Sequence, residues 1–107
     1  MPKIPEEVYL ELKEYCSRLA GKGYVSAHGG NASIRRGDFM WITRHASSFE
    51  DLTPEDIVQV DVTGSSSFDA HASIETVVHR QIYLETRNLA VLHAHPPNTV
   101  ALSFFHN

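Results

Sequence analysis

With a single cysteine, Cys16, no intrachain disulfide can form within these 107 residues. That fits a reducing compartment. Basic charge is also scarce: nine Lys and Arg stand against thirteen Asp and Glu, a net charge of −4 with neutral histidines. The densest positive spot is Arg35-Arg36, far short of a basic face, and no nucleic-acid partner is expected. No apolar run approaches the roughly 20 residues that span a bilayer, so no membrane partner is expected either. The opening MPKIPEEVYLELKEY turns charged within a few residues, unlike a signal peptide. A soluble, cytoplasmic chain is the expectation. Neither a G-x-G-x-x-G nor a P-loop is present, which gives no indication of a nucleotide site. No internal repeat or low-complexity linker marks a boundary, and 107 residues suit one domain.

What is present is enough apolar sequence for a core, 42% of residues. A chain this short buries a smaller fraction of its surface than a typical enzyme domain, so it calls for a partner subunit or for more chain. Residues 5–22 read as an amphipathic helix: Val8, Leu12, Tyr15, Cys16 and Leu19 recur at helical spacing, with Pro5 in the first turn and Gly21 and Gly23 at the stop. A hairpin follows, Ala32 to Arg35 and Phe39 to Thr43 about a turn at Arg36-Gly37-Asp38. Thr53 and Pro54 suit the start of a short helical turn that feeds a strand from Ile57 to Val62. Residues 73–86 read as a second helix, with Ser73 as a cap and Ile74, Val77, Val78 and Ile82 as its buried stripe. Leu89 to His93 reads as a buried strand that Pro96-Pro97 ends, and Asn98 to Phe105 as the start of another helix. Helices alternating with strands predict an α/β layer fold.

The chemistry concentrates in LHAHPP. Residues i and i+2 of a strand share a face, so His93 and His95 present two imidazoles to one point. Imidazole is the commonest metal ligand and suits zinc. On the preceding helix Glu75 and His79, four apart, share a face, and the short connection makes helix and strand packed neighbours. A Glu/His/His metal site is the favoured reading, with His79 as a further candidate ligand. The alternatives are histidines satisfied by hydrogen bonds at a sheet edge and a solvent-facing helix pair. The glycines before Asn31 permit close backbone approach to a ligand, and a carboxamide can bond an oxyanion; a tight turn explains them equally well.

In this order, GYVSAHGGNASIRR, FMWIT, LTPEDIVQVD, SIETVVHRQIY and LAVLHAHPPNTVAL resemble the class II aldolase/adducin family. The resemblance spans nearly the whole chain but only about the N-terminal half of the usual family domain. It implies a three-layer αβα fold with a mixed, mostly antiparallel central sheet, cut short, and residues 1–107 as one class II aldolase/adducin-like domain. It also implies a zinc-dependent lyase (another divalent metal being possible) that cleaves a small ketose or ketose phosphate through a zinc-stabilised enediolate. His93 and His95 match the zinc histidines, and Glu75 the residue that is both metal ligand and catalytic acid/base. Gly30 and Asn31 match the pair that helps hold substrate phosphate. Glu at position 75 leans away from the family's epimerases, which typically carry Asp there. The family's third zinc histidine lies further downstream than Asn107. In the family the helix histidine matching His79 is not a metal ligand. Two substrate positions depart from the pattern: His45-Ala46 stands where many aldolases have Thr-Gly, and Ser73-Ile74 where they have Ser-Ser. Arg44, His45 and Ser47 offer a different phosphate grip. Within the same family stand a methylthioribulose-phosphate dehydratase-like or pentose-phosphate epimerase-like enzyme, and a non-catalytic adducin-like or truncated domain. Family members usually form tetramers, which makes a homo-oligomer the expectation.

Overall fold

The computed structural model describes residues 3–22, 30–44, 47–64, 76–94 and 101–105, with residues 93, 94 and 101–105 described by backbone alone. Helix α1 spans Glu6–Gly21, with Pro5 at its N-cap, Glu6 and Glu7 in the first turn and Arg18 in the last, so charge complements the helix dipole at both ends. A hairpin follows of β1 (Asn31–Arg36) and β2 (Phe39–Thr43). Its turn needs Gly37, whose φ of 62° is left-handed and costs other residues a steric clash between Cβ and backbone. A single 3-10 turn, Pro54–Asp56, leads into β3 (Ile57–Asp61). There the Asp56 carboxylate accepts hydrogen bonds from both the Thr53 N–H (2.8 Å) and the Thr53 hydroxyl (3.0 Å). Helix α2 (Thr76–Glu85), β4 (Ala90–Ala94) and β5 (Ala101–Phe105) complete the described chain.

The strands form one sheet in the order β3-β2-β1-β4-β5, with every described pairing antiparallel. Because strand residues alternate between faces, the sheet has two different sides. One carries Ala32, Ile34, Trp41, Ile57, Ala90 and Leu92, which pack with Ile4, Val8, Leu12 and Cys16 of the α1 region. The other carries Met40, Ile42, Val58, Val60 and Val91, which pack with Tyr83 and Ile82 of α2. Helix, sheet and helix make the three αβα layers expected from the sequence. The α1 stripe is also as expected: Val8, Leu12 and Cys16 are buried, and Tyr15 and Leu19 pack beside them.

Two readings need correction. The α2 face turned to the sheet is not the valine stripe: Val77 is 71% exposed and Val78 44%, while Thr76, His79 and Tyr83 are buried. The reason lies in β1, whose residues under α2 are polar. Asn31 and Ser33 need hydrogen-bonding partners when buried, and valines supply none. Of that stripe, Ile82 packs as expected and Ile74 lies outside the described residues. The second correction concerns residues 101–105, which form strand β5 rather than a helix. Pairing with β4, from Ala90↔Phe105 to Ala94↔Ala101, satisfies backbone groups that an open sheet edge would leave unpaired.

Candidate active site

The β1–α2 seam contains a line of four buried polar side chains. Tyr83 and Ser33 bring their hydroxyl oxygens to 2.7 Å, and Ser33 Oγ lies 2.6 Å from His79 Nδ1. The other ring nitrogen, Nε2, is hydrogen-bonded to Asn31 Oδ1. With the Asn31 oxygen toward Nε2, a neutral imidazole carries its proton there and accepts at Nδ1 from Ser33, which in turn accepts from the Tyr83 hydroxyl. In that pattern the line runs from Tyr83 to Ser33 to His79 to Asn31.

Local sequence explains why these groups meet. Asn31 and Ser33 are two apart on a strand and project from the same face of β1. His79 and Tyr83 are four apart on α2 and lie one turn from each other. Arg35, next in the β1 series, donates from its guanidinium to the Tyr83 carbonyl at 3.1 Å, placing positive charge at the C-terminal turn of α2. Arg80 ties the same helix to the Asp61 carbonyl at the end of β3 (2.9 Å). His79 is fully buried, Ser33 likewise, and Asn31 is 5% exposed. Burial also holds the Tyr83 phenol well above its ordinary pKa, so it remains a neutral donor.

Position 31 is directly opposite His93 in the β1–β4 register. The carboxamide and the first histidine of H-x-H thus come from facing positions on neighbouring strands, with α2 above that part of the sheet. His93 is described by its backbone only; Glu75, His95, Ser73, His45 and Ala46 lie outside the described residues. Gly30 is half-buried immediately before β1. Both ring nitrogens of His79 are taken up by Ser33 and Asn31, an arrangement that gives it the character of a positioning group. Arg44 and Ser47 are engaged locally. Ser47 donates to the Arg44 carbonyl at 2.8 Å, and the Arg44 guanidinium reaches the Glu55 carbonyl at 3.5 Å. Among the described residues no three of His, Cys, Asp and Glu come together as a metal-binding group, and no helix is long and apolar enough to cross a membrane.

Ser33 and Tyr83 did not stand out in the sequence. The available signals were the i, i+2 spacing of Ser33 from Asn31 and the i, i+4 spacing of Tyr83 from His79.

An antiparallel sheet between two helices, with a polar seam beside the H-x-H strand, defines an αβα fold of the aldolase type. Residues 10–107 match the Class II Aldolase and Adducin N-terminal domain, and the chain belongs to that family. Methylthioribulose-1-phosphate dehydratase of Citrobacter koseri is 36% identical over 96 residues, which cover 87% of this chain and 47% of the relative. L-fuculose phosphate aldolase of Methanococcus maripaludis is 34% identical over 94 residues, 87% of this chain and 52% of the relative. Among solved structures, L-fuculose-1-phosphate aldolase from Thermus thermophilus superposes with a TM-score of 0.77 at 34% identity, covering 87% of this chain and 48% of that one. The chain thus spans about half the length of the curated relatives it matches.

Proposed function

We infer that residues 1–107 form one class II aldolase-type domain segment that contributes to a metal-dependent lyase acting on a small ketose phosphate. The register pair Asn31↔His93 supports this reading, because a carboxamide, a group able to bind an anion, lies opposite the first candidate metal histidine. Two imidazoles and a carboxylate, His93, His95 and Glu75, form a donor set whose chemistry suits zinc or a similar divalent ion. A metal held there supplies Lewis acidity toward the carbonyl and hydroxyl oxygens of the ketose.

The chain's own residues divide the remaining work. Glu75 takes the substrate proton as general base and returns it as acid. Gly30 and Asn31 offer backbone and carboxamide N–H groups to the phosphate, and the family resemblance adds Ser73, His45 and Ala46 as further candidate phosphate contacts. Loss of water is the finer reading we favour, supported by the relative from C. koseri, a methylthioribulose-1-phosphate dehydratase. Carbon–carbon cleavage is the second reading, supported by the fuculose phosphate aldolases of M. maripaludis and T. thermophilus. A cytoplasmic homo-oligomer, by resemblance a tetramer, completes the proposal.

The test supplies the zinc-loaded chain with methylthioribulose-1-phosphate and, separately, L-fuculose-1-phosphate. Mass loss of one water identifies dehydration; release of dihydroxyacetone phosphate identifies aldol cleavage. Neither product, together with no metal retained after desalting, refutes the lyase reading.

A further inference from the structure

We propose that His79 is a positioning residue: through its Nε2–H it fixes the orientation of the Asn31 carboxamide, turning the amide NH2 away from the helix to serve the substrate anion. The proposal rests on the reading that Gly30 and Asn31 face the phosphate. An Asn side chain is nearly symmetric, and either end of its amide can occupy the same place. Which end meets the ligand matters greatly, because NH2 attracts a phosphate oxygen and C=O repels it. In the proposed pattern a chain of donors resolves that ambiguity. Tyr83, its phenol kept neutral by burial, donates to Ser33, and the single Ser33 proton then goes onward to His79 Nδ1. An imidazole that accepts at Nδ1 carries its proton at Nε2, and that proton needs an acceptor. The Asn31 carbonyl is in place to be it. Reversing Asn31 would set its NH2 against the Nε2–H, donor against donor, in a site closed to water.

The arrangement also explains a costly feature of the fold. A valine in place of His79 would suit an ordinary helix–sheet contact, and two valines stand adjacent on the same helix. Instead the helix turns its histidine inward, and the partners it meets are 46 and 48 residues away in sequence.

The tautomer of His79 in the intact chain, read from long-range 1H–15N correlations of the imidazole, tests the orientation directly. The Nε2–H form with an unprotonated Nδ1 is expected. The Nδ1–H form would overturn the proposal, since Nε2 would then accept from Asn31 and leave the carbonyl facing the anion. A second arm titrates inorganic phosphate while following the Asn31 side-chain NH2 resonances. His79→Leu should weaken phosphate binding about tenfold or more, the equivalent of one hydrogen bond to a charged group. His79→Gln, whose amide nitrogen can reproduce the Nε2 donor, should restore most of it. Equal phosphate affinity in wild type and a folded His79→Leu variant would refute the positioning role. Wild-type NH2 resonances unmoved by phosphate, alongside the Nε2–H tautomer, would refute the anion reading while upholding the orientation of Asn31.

Discussion

Replacing Ser33 with alanine removes the middle of the buried polar line without changing the shape of the sheet. Ser33 is fully buried and takes part in two short hydrogen bonds, at 2.6 Å to His79 and 2.7 Å to Tyr83. A neutral hydrogen bond contributes about 1 kcal/mol net, and a buried group that loses its partner pays about 1–3 kcal/mol. The expected loss for Ser33→Ala is therefore about 2–3 kcal/mol, or roughly 10–20 °C in Tm for a domain of this size. Tyr83→Phe breaks only the outer bond and should cost about 1 kcal/mol. The double variant should then cost less than the sum, with a coupling of about 1 kcal/mol, because the Ser33–Tyr83 bond can be lost only once. Trp41 is the sole tryptophan, 4% exposed in β2, so its fluorescence during urea unfolding reports all four proteins. A Ser33→Ala variant within about 0.5 kcal/mol of wild type, or strictly additive costs, would refute the claim that the line is a connected network.

Alkaline stability offers an independent check: burial pushes the Cys16 thiol up to about 12 from 9.0. Between about pH 9 and 10, before the raised Tyr83 phenol adds its own slope, the folded chain holds a thiol proton that the unfolded chain releases, so stability should fall as pH rises, by at most about 1.4 kcal/mol per unit. Cys16→Ala should flatten that slope, and below pH 9 the thiol should stay inert to disulfide reagents until the chain is unfolded. His93→Ala and His95→Ala should each abolish retention of a divalent metal, read by elemental analysis against a chelator-treated control; retained metal in both would refute their assignment. Gly37→Ala should destabilise the hairpin by about 1 kcal/mol, because the left-handed φ, not lack of space, is the obstacle.

Much of the fold was legible because hydrophobic spacing encodes it. Val8, Leu12 and Cys16 recur at helical intervals, the Arg36-Gly37-Asp38 turn separates two strand-like runs, and the described elements follow. Where that reasoning failed, it assumed that a buried face must be apolar. Val77 and Val78 are wholly apolar, while Thr76, His79 and Tyr83 each carry a polar group. Yet the helix turns toward the groups that can satisfy Asn31 and Ser33, positions more than forty residues away that no local window contains. Residues 101–105 failed for a related reason, since only the edge of β4 decides that they extend as a strand. The candidate metal ligands were legible as residue types at strand and helix spacing. The role of His79 was not, because its two partners come from another element.

The two faces of the sheet divide the labour of the chain. Under α1 the buried cluster among the described residues is apolar, with Ile4, Val8, Leu12 and Cys16 packed against Ala32, Ile34, Trp41 and Leu92. Leu12, fully buried on that side, should cost about 2–5 kcal/mol when cut to alanine, while the Asn31 side chain keeps its contacts on the opposite face. Under α2, apolar packing around Tyr83 and Val91 runs directly into the polar line. Substitutions on this side must therefore change stability and the geometry of Asn31 together. Leu12→Ala and Ser33→Ala destabilise by similar amounts, so comparing them at equal stability separates the two effects. The His79 tautomer should be unchanged in folded Leu12→Ala and should shift toward Nδ1–H in folded Ser33→Ala, where Nδ1 loses the donor that holds it unprotonated. If both variants retained the Nε2–H form, Ser33 would be a structural hydroxyl only, and the directional line from Tyr83 to Asn31 would be broken as an explanation.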